Sequence, residues 1–154
     1  MTTLHNEITI AAPRSSVWRS LTRLDALAEY DPGVRSATLV GQTTTGQGAQ
    51  RRCELRPAGW FVEQVVSWEP ESALSFQLVD CSLPVSSLRH DYTLTEAGGR
   101  THLKQVMTYQ LKYGPLGRTL DVLGMRRKWD AGIKAFLVGL KAHVEAGNLA
   151  TEHT

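Results

Sequence analysis

Six strand-patterned segments follow one another with little between them, and a single long amphipathic segment closes the chain; few folds accept that order. Val34 to Val40, Ala49 to Arg56, Trp60 to Glu69, Ala73 to Asp80, Ser86 to Glu96 and Thr101 to Tyr113 carry the β-branched, aromatic and alternating residues of strands. Their separators, Gly41 to Gly48, Pro57-Ala58-Gly59, Pro70-Glu71-Ser72 and Ala97-Gly98-Gly99-Arg100, are rich in Gly, Pro and small polar residues, as hairpin links are. Links this short make consecutive strands antiparallel neighbours. Before them, Leu4 to Ile10 alternates polar and apolar residues as a half-buried strand does. Two short helices are expected to follow it: one after Pro13, with Val17, Trp18 and Leu21 at helical spacing, and one through Ala28, with Asp25 as N-cap and Asp31-Pro32-Gly33 as its stop.

The last third opens with Gly114-Pro115-Leu116-Gly117 and reads helical to about Ala146, where Gly147-Asn148 is a fitting stop. Leu116, Leu120, Leu123, Phe136, Leu137, Leu140 and Val144 read as one apolar stripe, with Arg118, Lys128, Lys141 and Glu145 elsewhere. Gly124, Gly132 and Gly139 each weaken such a helix by about 1 kcal/mol relative to Ala, which places a kink or a late start near Gly124. The expected fold is therefore α+β: a seven-stranded curved antiparallel sheet wrapped around a long C-terminal helix, with two short helices after strand one. One domain is expected over residues 1–154, ordered from about 4 to 147, with Thr151 to Thr154 frayed. Where sheet and helix side chains fail to meet, a gap is left, and such gaps hold ligands.

Composition narrows the partners. Seventeen basic and 15 acidic residues leave a net charge of +2, too balanced to imply nucleic acid or an anionic membrane as an electrostatic partner. No apolar run approaches the length of a spanning helix, and Met1 to Ile10 lacks a leader pattern, so a cytoplasmic address without membrane insertion is expected. Cys53 and Cys81 fall on non-adjacent strands, which argues against a bridge. The five histidines have no metal-ligand spacing to one another or to the cysteines, Gly41 to Gly48 lacks the lysine of a phosphate loop, and no nucleophile triad is suggested by local motif. Neither metal nor cofactor is expected. The oligomeric state is open, a homodimer included.

Several stretches together resemble a known family. Ile8-Thr9-Ile10-Ala11-Ala12-Pro13 followed by Val17-Trp18, then Leu24-Asp25, Tyr30 and Pro32-Gly33-Val34, is similar to the opening of START-like (SRPBCC) proteins of the polyketide cyclase/dehydrase group. Gly46-Gln47-Gly48-Ala49 leading to Arg51, Glu63 and Val65 before Pro70, and Gly99-Arg100-Thr101 leading to Leu103 resemble its later landmarks, so the likeness runs from about Leu4 to Glu145. It implies the helix-grip fold. The superfamily includes lipid carriers, hormone receptors, aromatic polyketide cyclases, pollen allergens and ring-hydroxylating oxygenase domains, and fold alone does not choose among them. The Cys/His cluster and iron ligands of an oxygenase are missing here.

Candidate site residues follow from strand parity. Arg51, Cys53 and Leu55 share one face of their strand, and apolar parity selects it as inward. Arg51 there would grip a ligand carboxylate or polarise a carbonyl, or else snorkel to water at the sheet's open end. Glu63, with Phe61 and Val65, is its natural partner if inward; the alternative inward row is Val62, Val66 and Trp68. Leu74, Phe76 and Leu78 extend the wall on the next strand. Leu103, Gln105, Met107 and Tyr109 line the last strand, with Gln105 able to orient a polar atom and Tyr109 either donating a phenol hydrogen bond or sitting in the core. His90 and Tyr92 are expected inward, and Arg89 and Asp91 form a solvated pair on the opposite face. Trp60, beside Gly59 on a hairpin tip, is a candidate cap for the pocket mouth, and Leu120 and Leu123 a contribution from the helix. Catalytic candidates are Arg51, Glu63 and Tyr109. A non-catalytic binder of a lipid, isoprenoid or polyketide-like molecule is favoured over a cyclase or dehydratase, and over a protein-interaction module.

Overall fold

The computed structural model describes residues 1–152 and shows a seven-stranded antiparallel sheet in the order β1-β7-β6-β5-β4-β3-β2. The strands are β1 (Thr2–Ile10), β2 (Val34–Val40), β3 (Gln50–Leu55), β4 (Trp60–Glu69), β5 (Ala73–Cys81), β6 (Val85–Ala97) and β7 (Arg100–Leu111). Between β1 and β2 lie α1 (Arg14–Thr22) and a 3-10 helix (Leu24–Glu29), and after β7 come α2 (Gly114–Leu120), a π-helical turn (Asp121–Met125) and α3 (Arg126–Glu152). Asp25 lies in the first turn of the 3-10 helix instead of capping it; Arg23 holds the cap position.

Consecutive strands pair because their links are short, and β1 returns to pair with β7 along its whole length, from Thr2 opposite Tyr109 to Ile10 opposite Thr101. Register shifts interrupt β2/β3, β4/β5 and β6/β7. Each bulge bends its strand, and together they curl the sheet around α3. The shift between Val65 and Ser67 also reverses parity along β4. Trp68 therefore pairs with Leu74 and packs edge-on against Trp18 at 5.2 Å, on the same side as Val65. The alternative row of Val62, Val66 and Trp68 is thus broken in two.

The core joins Ile133, Phe136, Leu137, Leu140 and Val144 of α3 to Ile10, Cys53, Val65, Leu74, Phe76, Leu94, Leu103 and Met107 of the sheet. α3 approaches the 3-10 segment so closely that a Cβ on Gly139 would stand 1.9 Å from the Tyr30 carbonyl oxygen. Gly139 is therefore a packing requirement, where the sequence suggested only a weak point.

The stripe expected along one continuous helix is corrected. Leu123 and Phe136 are 13 positions apart in the chain, about 3.6 turns, which would set them on opposite sides of an unbroken helix. Gly124 has non-helical backbone, and the apolar row that meets the sheet starts afterwards. Leu116, Leu120 and Leu123 are all exposed. At the other end α3 continues past Gly147-Asn148 to Glu152. Of the segment expected to fray, residues 153 and 154 lie outside the described residues.

Candidate functional site

A cavity of about 290 Å³ opens between α3 and the end of the sheet where β3 turns into β4. Pro57 and Ala58 of that hairpin, Asp31 and Gly33 before β2, and Lys128 and Trp129 of α3 surround it. A second pocket of about 100 Å³ shares Leu55, Phe61, Leu83, His90 and Trp129 with it and reaches Leu78 and Cys81.

One wall is polar. Arg51 faces Glu63 directly across β3/β4, both inward, and they are 5% and 3% exposed. Arg51 Nε donates to Glu63 Oε1 at 2.7 Å, its second nitrogen lies 2.6 Å from the same oxygen, and Nη1 donates to the Leu24 carbonyl at 3.3 Å. The guanidinium lies over the Phe76 ring, 4.5 Å from its centroid. Burial would lower the arginine's pKa, but the charge of Glu63 overrides it and holds Arg51 above its ordinary value. A register shift between Val62 and Glu63 accompanies this placement, as bulges often do where a side chain is re-aimed.

The second polar pair comes from the neighbouring strands. Gln105 of β7, 1% exposed, donates from Nε2 to His90 Nδ1 of β6 at 2.8 Å. Burial, the largest influence, pushes the His90 pKa below its ordinary 6.5, so the ring is neutral. With Nδ1 accepting, the ring proton resides on Nε2. Gln105 Oε1 is buried and has no hydrogen-bond partner among the described residues. Tyr92 stacks on His90 at 6.3 Å and packs against Phe76 and Phe136, its hydroxyl pKa raised chiefly by burial.

The structure gathers Arg51, Leu55, Glu63, His90, Tyr92 and Gln105 around the main cavity, with Leu78 on its smaller extension. Other candidates fall elsewhere. Cys53, Leu74 and Met107 are core residues outside the lining of either pocket, and Phe76 lies beneath Arg51. Burial pushes the Cys53 thiol up to about 12. Cys53 and Cys81 are free, on β3 and β5 with β4 between them.

Trp60 is corrected. It pairs with Glu54 on the outer face and stacks under Arg52 at 4.2 Å, so its hairpin supplies Pro57 and Ala58 to the mouth instead. Tyr109 is corrected too. Its ring packs on Trp129 at 4.6 Å and its hydroxyl donates a very short hydrogen bond to Asp121, away from the main cavity. Burial and then that bond push its pKa up to about 12. Leu120 and Leu123 face away from the cavity, for the helical-phase reason given above.

The wall contributed by α3 was missed: Trp129, Gly132, Ile133 and Phe136. The signal was present, since Trp129, Ile133, Phe136 and Leu140 recur at helical spacing, whereas Leu123 leads four residues on to Arg127. The Arg89–Asp91 pair sits on the outer face at 3.0 Å, as parity requires. No cluster of three potential metal ligands occurs among the described residues, and no described helix is long and apolar enough to cross a membrane.

Comparison with known proteins places this geometry in context. A family described as polyketide cyclase / dehydrase and lipid transport matches residues 1–145. TTHA0849 from Thermus thermophilus superimposes with a TM-score of 0.81 at 21% identity, over 95% of this chain and 99% of its own. The ZhuI aromatase/cyclase from Streptomyces sp. R1128 gives 0.78 at 14% identity, over 94% and 93%. A START superfamily protein from Mycobacterium smegmatis gives 0.76 at 13% identity, over 94% and 97%. No curated protein matches the chain in sequence. At these identities the solved structures show the helix-grip fold.

Proposed function

The chain belongs to the polyketide cyclase/dehydrase and lipid transport family, and from that premise we propose that it binds a compact, largely apolar molecule bearing one or two oxygen groups, held between the sheet and α3. One observation carries this reading: a cavity lined by Leu55, Phe61, Ile133 and Phe136, with Asp31, Arg56 and Lys128 also in its lining, has a buried polar wall in which Gln105 Oε1 has no hydrogen-bond partner among the described residues. Leaving a buried amide oxygen unpaired costs about 1–3 kcal/mol, which a ligand hydroxyl donating to it would recover. Arg51 and Glu63 neutralise one another, so the wall suits a neutral hydroxyl, phenol or ketone better than a free carboxylate. The volume, near 300 Å³, fits a molecule of a few rings or a short isoprenoid-like chain better than a two-chain lipid.

Fluorescence titration with an apolar naphthol tests it. Saturable binding that weakens about tenfold in Gln105→Leu supports the reading, in line with the 1–3 kcal/mol of one buried hydrogen bond. Absence of saturable binding, or equal binding by Gln105→Leu, contradicts it.

A second reading, a cyclase or dehydratase, is favoured by the same wall. Neutral His90 with its proton on Nε2, and Tyr92 stacked beside it, are groups that polarise carbonyls and transfer protons. If Tyr92→Phe and His90→Gln kept affinity for a poly-ketone mimic but lost its turnover, catalysis would take precedence over carriage.

A further inference from the structure

The segment between β7 and α3 is built inside out. In α2 and the π-helical turn, Gly117 and Asp121 face the protein while Leu116, Leu120, Val122 and Leu123 are 63%, 42%, 79% and 76% exposed. Ordinary surface helices do the reverse. The inversion is held by a polar anchor. Asp121 accepts hydrogen bonds from Tyr109, from Thr2 at 2.8 Å and from Arg126 at 3.1 Å. Burial would raise its pKa, but these bonds together hold the carboxyl below its ordinary range. A Cβ on Gly117 would stand 2.3 Å from the Lys112 carbonyl, so the inward flank is also fixed sterically.

Cations surround the apolar flank. Lys112, Arg118, Arg126, Arg127 and Lys128 are all exposed, and between Tyr113 and Trp129 the one acidic residue is the inward Asp121. The overall charge of +2 hides this local excess. We propose that this segment docks the protein on an anionic lipid surface, its leucines entering the headgroup boundary and its cations meeting lipid phosphates. Apolar residues ringed by Lys and Arg are what such an interface accepts. A second copy of the chain fits less well, because a two-fold contact through this patch would bring like charges together.

Docking here has a consequence for the cavity, and that consequence rests on the binding function proposed above. Lys128 and Trp129, in the first turn of α3 directly after this segment, line the cavity, so docking would bring its mouth close to the bilayer. An apolar ligand could then exchange with lipid without crossing water.

Co-sedimentation of the ligand-free protein with phosphatidylcholine vesicles containing about 30% phosphatidylglycerol tests the docking itself. The wild type is expected to bind these vesicles, to bind pure phosphatidylcholine more weakly, and to be released as salt rises. Arg118→Ala and Arg127→Ala should each weaken partitioning about fivefold, and Leu123→Ser about tenfold at every salt concentration. These positions are exposed, so the variants are expected to fold, which circular dichroism unchanged from wild type would verify. Wild-type protein that stays in the supernatant, or variants that bind as well as wild type, overturn the proposal. So does self-association through the patch, seen as dimers that Leu123→Ser dissolves while no form binds vesicles. Naphthol titration in vesicle-free solution reads the cavity separately, so failure of one idea is distinguishable from failure of the other.

Discussion

Replacing Arg51 by Met probes the polar wall most severely. The pair is almost fully buried, with nitrogen-to-oxygen distances of 2.7 and 2.6 Å. At that separation and an effective dielectric near 20, the attraction is about 6 kcal/mol, most of which offsets the cost of taking both charges out of water. Arg51→Met forfeits the attraction, the bond to the Leu24 carbonyl and the contact with Phe76, and leaves Glu63 buried without a cation. A loss of about 3–5 kcal/mol is expected. For a chain of this size that is a fall in Tm of roughly 6–20 °C. Combining it with Glu63→Leu removes both charges and should recover most of the loss, because an apolar pair of similar volume has no desolvation to repay. Urea denaturation followed by circular dichroism, at about pH 7 for the wild type, both single variants and the double variant, measures the cycle. If Arg51→Met cost less than about 1 kcal/mol, the pair would be behaving as a solvent-screened surface bridge and the buried polar wall would be wrong. A double variant no more stable than Arg51→Met would refute the charge argument in another way.

Other residues give independent tests. His90 is held below its ordinary 6.5, so the unfolded chain binds more protons there as pH falls; stability due to His90 is full above about pH 6.5 and lost below it. His90→Gln should therefore show a smaller fall in Tm than wild type between about pH 7.5 and 5.5, and an equal fall would exclude a half-buried ring held neutral. At Gly132 a Cβ would meet open space, and the position lies on the cavity wall within α3. Gly132→Leu should raise stability by about 1 kcal/mol through helix propensity while abolishing naphthol binding; retained binding would place the ligand elsewhere. Gly139→Ala must push α3 off the Tyr30 carbonyl and should cost about 1–3 kcal/mol, measured by the same denaturation.

The sheet was legible because its information is local: alternation and short turns fix strands, and short turns fix antiparallel order. Arg51 could be aimed from parity alone because its strand is clearly patterned, whereas Glu63 stands on a strand that is apolar on both faces, and only its place opposite Arg51 decides between the two rows. Trp60 misled because it follows the tip of its hairpin, where the apolar character of one residue does not reveal its face; stacking under Arg52 decided it. Tyr109 had the right parity yet met Asp121, a residue that no local pattern on β7 points to. Leu120 and Leu123 were misplaced because a π-helical turn shifts the phase of everything before it, and spacing counted across Gly124 joins two rows that do not align. The amide oxygen of Gln105, without a partner among the described residues, was invisible in sequence, since it depends on His90 taking only the amide nitrogen across a strand pair.

The central claim is that the space between sheet and α3 is an occupied ligand site and not a packing defect. Native mass spectrometry of protein purified from its producing cells, wild type beside Gly132→Leu, tests it most directly. The account predicts a small apolar molecule bound one to one by the wild type, released unchanged on activation and absent from Gly132→Leu. An adduct carried equally by both proteins would place the site outside this cavity, and a wild type that neither retains nor takes up any apolar compound would contradict the claim.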